Sequence, residues 1–469
     1  MKCLRNVAAK GSWEMMCTSS LLELVRLGNV KKISELFFCI ALVLHYLLIR
    51  QASARQCQKN QRAVFCIALA LHYLCTNNEY IAMRYFLIAG EASGDIHASQ
   101  LIKAITDEDR EAEFRFFGGD LMAGAAGQAP LVHYREMAFM GFIEVLKHIW
   151  QIAGFLKCAK RQIAEWHPDA VVLVDYPSFN LKVAKYAHSV GVPVFYFISP
   201  KVWAWKEYRV KQIKRYIAEM YSILPFETDF YARHGYRVEY VGNPTVKEMA
   251  EARKSFATEQ QFKQQKGLDA GRPIIALLPG SRHKEIRDNL PEMVAACGEF
   301  PGYQPVIGGA PSIDEEEYRN VLRQSGIAGG ENIRVLHGCS FELVAHARAA
   351  VVTSGTATLE TAVLGTPQVV CYRMNGSKRV YDWYKRLLKV KYVSLPNLIA
   401  DEPILPELLL HFCNRRSIAR ELAPLLGDTP QRSEMLAGYS RMMDRLGTTD
   451  CAATAAHLLT DRLRRQSQA

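Results

Sequence analysis

The chain has 469 residues and a formal charge of +11 at pH 7, with a pI near 9.0, a length that predicts two domains, each with its own core. A hydrophobic content of 49% beside 22% charged residues excludes a disordered chain. The positive balance favours acidic partners, whether phosphorylated small molecules, anionic lipid or nucleic acid.

Six of the 12 cysteines, Cys3, Cys17, Cys39, Cys57, Cys66 and Cys75, lie in the first 82 residues. No CxxC pair or Cys/His cluster has metal-ligand spacing, so no structural zinc is expected, and scattered thiols suit a reducing cytoplasm. The same region holds a near-duplicate, FFCIALVLHYLLI from Phe37 and VFCIALALHYLC from Val64. Each run is shorter than the roughly 20 residues of a membrane helix, and two copies fall short of a solenoid. Residues 1–82 are therefore expected to be an extension outside the working fold, upstream of a start at Met83; a membrane-associating hairpin is the alternative.

From Met83 short apolar runs alternate with amphipathic helical stretches, the pattern of parallel βαβ units and an α/β fold. Strands are predicted at Arg84 to Ala89, Ala170 to Asp175, Val192 to Ile198, Tyr221 to Leu224 and Arg237 to Val241. After the first, LIAGEASGDIHAS sets Gly90 and Gly94 around Glu91, Ser93 and Asp95. The glycines permit close approach of a ligand or of a helix to the sheet; the carboxylates suit sugar hydroxyls better than phosphate, and Ser93 or Asp95 equally suits a helix cap. Asp107-Glu108-Asp109 matches a metal-binding D-x-D pattern but reads as a chance match in a polar loop. Asp175, closing AVVLVD ahead of Tyr176-Pro177, is placed to act as a general base, though an aspartate there also suits a plain turn. Next, residues 201–215 carry six positive charges against one negative. With Trp203, Trp205, Lys206 and Arg209 among them, this segment fits an anionic membrane surface. A solvated helix with its apolar face at Val210, Ile213, Ile217 and Met220 is the plain reading, and no nucleic-acid module is recognisable.

The seam is expected just after Val241-Gly242-Asn243-Pro244, which divides the chain into residues 83–245 and 246–429. Second-half strands are predicted at Ile274 to Pro279, Gln304 to Ile307, Ile333 to Leu336, Ala350 to Thr353 and Gln368 to Tyr372. LLPGSRHKEI places Gly280, Ser281 and Arg282 at a helix start, where exposed N–H groups and a guanidinium favour a phosphate; an ordinary turn with solvated basic residues is the alternative. SGTATLE follows the strand at Ala350 with a second small-residue turn, Ser354, Gly355 and Thr356, and with Glu360. That carboxylate suits a ribose diol or simple helix stabilisation. The stretch from Ser377, with Trp383 and Tyr384, repeats the basic-aromatic pattern.

Taken in order, FLIAGEASGD, MGFIEVL, VVLVDYPSFN, ISPKVWAW, VGNP, LLPGSR, TSGTATLE and LPNLIA resemble the lipid-A-disaccharide synthase family, bacterial glycosyltransferases of the GT-B architecture. The resemblance runs from Met83 to near the C-terminus. It implies two Rossmann-like, doubly wound domains facing across a cleft. It also implies transfer of diacylglucosamine from UDP-diacylglucosamine to the 6-hydroxyl of diacylglucosamine 1-phosphate (lipid X), with inversion and with no cofactor or metal. Carried over, the family's pattern implies Gly280, Ser281 and Arg282 at the diphosphate, Glu360 near the ribose, Asp175 as base, and functional roles for Glu91 and Asn397. The setting implied is the cytoplasmic face of the inner membrane of a Gram-negative bacterium, with peripheral attachment; a homodimer is left open. Residues 430–469 are expected to pack back on the first domain. Leu410 stands where the family commonly has glutamine, which weakens a polar contact there. The competing readings are another GT-B-like UDP-sugar enzyme, such as an epimerase, or a non-catalytic membrane-associated binding protein.

Overall fold

Runs such as YFLIA and AVVLV are apolar at every position, which suits strands covered by helices on both faces. The computed structural model describes residues 82–137, 148–327, 329–373 and 391–467. The strands of the first half are β1 (Arg84–Ala89), β2 (Glu113–Gly118), β3 (Val132–His133), β4 (Ala170–Val174), β5 (Val194–Phe197), β6 (Glu219–Ser222) and β7 (Glu239–Tyr240). They form one sheet in the order β3-β2-β1-β4-β5-β6-β7. The second half has β8 (Ile274–Leu278), β9 (Gln304–Gly309), β10 (Arg334–His337), β11 (Ala347–Thr353), β12 (Gln368–Tyr372) and β13 (Glu407–Leu409), in the order β10-β9-β8-β11-β12-β13. The pairings are parallel, with Ala89 opposite Val174 in the first sheet and Leu278 opposite Val352 in the second.

Alternate residues of each strand feed separate cores. Phe86, Ile88, Val171 and Leu173 pack on one face of the first sheet, and Tyr85, Leu87, Val172 and Val174 on the other. Ile275, Leu277 and Val351 divide from Ile274, Ala276 and Val352 in the same way. Each such side chain contributes about 1.5–3 kcal/mol by leaving water. The predicted strands at Arg84 and Gln368 match in full; most others shift by one to three residues. The sequence pattern missed β2, whose first turn of EFRFFG mixes charge with apolar residues, and the edge strands β3 and β13, which are too short to show a period. Arg115 of β2 stacks on Trp166 at 4.8 Å and its Nη1 donates to Gln162 Oε1 at 2.8 Å, so its charge is accommodated at the sheet margin.

The chain crosses between halves twice, and the crossings touch. Gly242 has φ +100°, and a Cβ there would lie 2.3 Å from the carbonyl oxygen of Thr449. Beside it Tyr240 Oη donates to Leu446 O at 2.7 Å, and Lys247 pairs with Asp450. The return expected of residues 430–469 is narrower than the whole segment. The helix Pro430–Leu446 places Met435, Tyr439 and Met442 in the second core, and only the helix Cys451–Ser467 joins the first, through Cys451, Ala455, Leu459 and Leu463. The physical reason is the apolar face of each helix, which matches a different sheet. The duplicated apolar runs, MGFIEVL, and the segment with Trp383 and Tyr384 lie outside the described residues.

Candidate active site

In each sheet the strand order reverses once, between β1 and β4 and between β8 and β11. A crevice opens beyond the carboxyl ends at such a point. All four of these strand ends carry a motif: Gly90 and Glu91 follow β1, Asp175 follows β4, Gly280 to Arg282 follow β8, and Ser354 to Thr356 follow β11.

The first-half loops are held from within. Asp175 and Tyr176 both have φ 45°, a left-handed conformation that costs a non-glycine residue about 1–2 kcal/mol. The Asp175 carbonyl oxygen accepts from Asn180 Nδ2 at 2.7 Å and from the Tyr196 hydroxyl. Burial holds the Asp175 carboxyl above the ordinary carboxylate range, opposed by the Lys201 ammonium and by a hydrogen bond from the Tyr176 N–H. Glu91 caps the helix Ala92–Glu108 from an extended conformation. Its carboxyl is raised by burial and then by the Asp175 charge, while Arg282 and Lys201 pull it down. Arg282, after β8, is near enough for its charge to act on Glu91, after β1.

The second-half loops are open. Gly280 takes φ +115°, and a Cβ there would collide with the Glu285 side chain. Glu285 Oε2 accepts from the Ser281 N–H at 3.1 Å, and its Oε1 accepts from Arg282 Nη1 at 3.0 Å. Ser281 and Arg282 are otherwise exposed, at the start of the helix His283–Cys297. His283 turns away to Glu317, 3.2 Å distant. In the other turn the Ser354 N–H donates to Cys371 O at 2.9 Å and Thr358 Oγ1 to Gly355 O at 2.7 Å, leaving Gly355 and Thr356 exposed. Burial, then the charge of Glu248, pushes Glu360 up to about 7. A carboxyl so poised exchanges readily between accepting and donating hydrogen bonds toward a diol.

Residues 85–459 match the lipid-A-disaccharide synthetase family. The lipid-A-disaccharide synthase of Myxococcus xanthus (strain DK1622) is 41% identical over 386 residues, which cover 81% of this chain and 97% of that one. The chain belongs to the lipid-A-disaccharide synthase family. Another member, from Acidobacterium capsulatum, is 36% identical over 384 residues, 80% of this chain and 94% of its own. Among solved structures, the UDP-GlcNAc 2-epimerase from Neisseria meningitidis bound to UDP-GlcNAc superposes with a TM-score of 0.56 at 12% identity, covering 82% of this chain and all of that one. At that identity the likeness shows the fold alone, two Rossmann-like domains in the GT-B arrangement.

Several motif residues of this lipid-A-disaccharide synthase family member serve the framework. Gly90 makes room for the Tyr176 ring, whose Cγ would lie 2.4 Å from an added Cβ, and Gly94 lets its helix approach Ala89. Of the two roles expected for these glycines, close packing within the fold is the one these contacts show. Ser93 stays exposed in the first turn. Asp95 caps a different helix from the one expected, accepting from the N–H groups of Gly119 at 2.7 Å and Met122 at 3.1 Å. Asn397, expected at the substrate, is 1% exposed; its Nδ2 donates to Leu405 O and Glu407 Oε1, and its Oδ1 accepts from Leu405 N. Its amide is therefore occupied in holding the LPNLIA turn. Asp109 of the D-x-D pattern likewise accepts from the N–H groups of Met83 and Glu111.

Trp203, expected at a membrane, faces inward. It packs against the cores of both halves, and its Nε1 donates to Glu227 Oε1 at 2.8 Å. Glu227 is fully buried, accepts also from Ser222 Oγ, and is pushed by burial up to about 7. No local pattern marks Glu227, because only the fold brings FETDF under PKVW. Lys201, also missed, acts on Glu91, Asp175 and Glu227 together. The side chain of Trp205 lies outside the described residues; Arg209 Nη2 donates to Ser178 Oγ at 3.1 Å, beside the Asp175 turn. Leu410 is buried with φ 53°, so the position that departs from the family's glutamine offers no polar group.

Proposed function

We propose that the chain condenses UDP-2,3-diacylglucosamine with 2,3-diacylglucosamine 1-phosphate, forming the β-1,6-linked disaccharide 1-phosphate and UDP. The observation that carries this reading is the family match over residues 85–459, supported by motif residues at the carboxyl ends of β1, β4, β8 and β11. Asp175 takes the proton of the acceptor's 6-hydroxyl as that oxygen bonds the anomeric carbon and the bond to UDP breaks on the opposite face. Glu91 sits beside it to orient acceptor hydroxyls. Arg282, at the start of the helix, stabilises charge on the departing diphosphate together with the Gly280-Ser281 turn, whose Ser281 N–H the phosphate takes over from Glu285. Ser354, Gly355, Thr356 and Glu360 hold the nucleoside. The cleft contributes by aligning two bound reactants.

Both reactants carry acyl chains, which leave a bilayer at a cost of about 0.8 kcal/mol per CH₂. Attachment to the inner face of the cytoplasmic membrane follows from that cost. Support comes from the helix Ile149–Trp166, whose first residues Ile149 and Trp150 are 51% and 87% exposed and are followed by Lys157, Lys160 and Arg161. Lys206 and Arg209, with the exposed ring of Tyr208 between them, form a second basic and aromatic surface. Incubating the purified chain with both lipids and reading the products by mass spectrometry tests the reading. Disaccharide 1-phosphate and UDP in equal amounts are expected. Folded protein that binds UDP yet yields no disaccharide would overturn it.

A further inference from the structure

A main-chain carbonyl just beyond a buried strand is ordinarily left to solvent or to one neighbour. That of Asp175 is instead met from inside the protein by two side chains that are themselves fully buried. Tyr196 and Asn180 are both 0% exposed. Tyr196 stands on β5 opposite Leu173 of β4, two residues before Asp175, and its hydroxyl reaches up to the Asp175 oxygen. Asn180 lies one turn into the helix Pro177–Ser189; its Nδ2 donates to Asp175 O at 2.7 Å and to Val174 O at 3.2 Å. The conformation that these bonds hold is one a non-glycine chain avoids, with Asp175 and Tyr176 left-handed in succession at φ 45°. Backbone in sparsely populated regions persists where surrounding contacts over-determine it, and such residues cluster at sites of function.

The next residue is fixed as firmly. The Tyr176 ring lies against Gly90, where no Cβ fits, and its hydroxyl donates to Met137 O at 2.8 Å. The turn is thus tied to β5, to its own helix, to the loop after β1 and to the end of the helix Tyr134–Met137.

We propose that Tyr196 and Asn180 are positioning residues, which act through the Asp175 carbonyl to hold the strained turn and so aim the Asp175 carboxylate into the crevice. The inference rests on the reading of Asp175 as the base. Neither residue faces the substrates, so their removal acts on the reaction through Asp175 alone. Burial holds the Asp175 carboxyl above the ordinary carboxylate range; Glu91 and Lys201 are the charged groups that act on it, and the Tyr196 hydroxyl sits on the carbonyl of the same residue.

The test compares Tyr196→Phe, Asn180→Ala, Asp175→Asn and the double variant Asp175→Asn/Tyr196→Phe in the full chain. Tyr196→Phe is expected to lower kcat roughly ten- to a hundred-fold, with the donor KM and UDP affinity within about twofold of the parent. Loosening of the turn relieves the burial that raises the Asp175 carboxyl and moves the acid limb of the pH–rate profile to lower pH. The double variant loses no more than Asp175→Asn alone. If Tyr196→Phe does not fold, as judged by circular dichroism, Asn180→Ala removes a donor to the same carbonyl and carries the same expectation. Lower melting temperatures with kcat and the acid limb unchanged would overturn the proposal, because a merely structural role predicts that pattern. A wild-type rate in Asp175→Asn would instead remove the base reading and the inference with it.

Discussion

The strand ends of the first half are closed on themselves, and those of the second half are open. Around β1 and β4 the carbonyl of Asp175 has two buried donors and the carboxylate of Asp95 caps a neighbouring helix, while beyond β5 and β6 Glu227 receives the indole of Trp203. Around β8 and β11 Ser281, Arg282, Gly355 and Thr356 are exposed, and among the described residues Arg282 is paired with Glu285 of the first turn of the following helix. A group that moves a proton needs a fixed position and a raised pKa, which burial and in-chain hydrogen bonds supply. A group that grips a departing nucleotide needs to be free until the ligand arrives. The same doubly wound scaffold is thus tuned in two ways, and each tuning can be broken separately.

The largest effect is expected at the closed end. Asp175→Asn should lower kcat by about a thousandfold, in the range that a positioned general base contributes, and steady-state kinetics on the two lipids measures it. At the open end, Arg282→Ala should weaken UDP binding about ten- to a hundredfold, the loss of one charge-assisted contact of roughly 1.5–3 kcal/mol. A third change targets the joint between the halves. Gly242→Ala places a Cβ against Thr449 at φ +100° and should cost about 1–3 kcal/mol of stability, read as a lower melting temperature.

A fourth effect concerns pH. Glu227 is raised from 4.5 to about 7 in the folded chain, so between those values the unfolded chain releases a proton that the folded one keeps. Its contribution is intact below about pH 4.5 and is lost as pH rises through about 7, at no more than about 1.4 kcal/mol per pH unit. In Glu227→Gln that portion of the decline should vanish from melting curves collected between pH 4.5 and 8; identical pH dependence in the two proteins would show that Glu227 is not the titrating group.

Much of this was legible from residue order. Continuous apolar runs gave away parallel strands, and the turns that follow them mark the ends of β1, β4, β8 and β11, where the strand order reverses. Short-range pattern could not tell a glycine that admits a ligand from one that admits Tyr176, as at Gly90, because both need only the absence of a Cβ. The amide of Asn397 and the indole of Trp203 look equally suited to lipid, sugar or protein until the fold brings Leu405, Glu407 and Glu227 to them. Tyr196 lies outside the motifs, and Asn180 closes VVLVDYPSFN without a role of its own there; what they do depends on a strained carbonyl that only the folded backbone displays. The helix from Pro430 divides from the one at Cys451 because their apolar faces match different sheets, a distinction that helical periodicity alone does not make.

Calorimetric titration of UDP into Asp175→Asn and Arg282→Ala, side by side with the parent chain, tests the division of labour most directly. The account predicts parental affinity in the first variant and at least a tenfold loss in the second, although both turn over slowly. Loss of UDP affinity in Asp175→Asn, or its retention in Arg282→Ala, would contradict it.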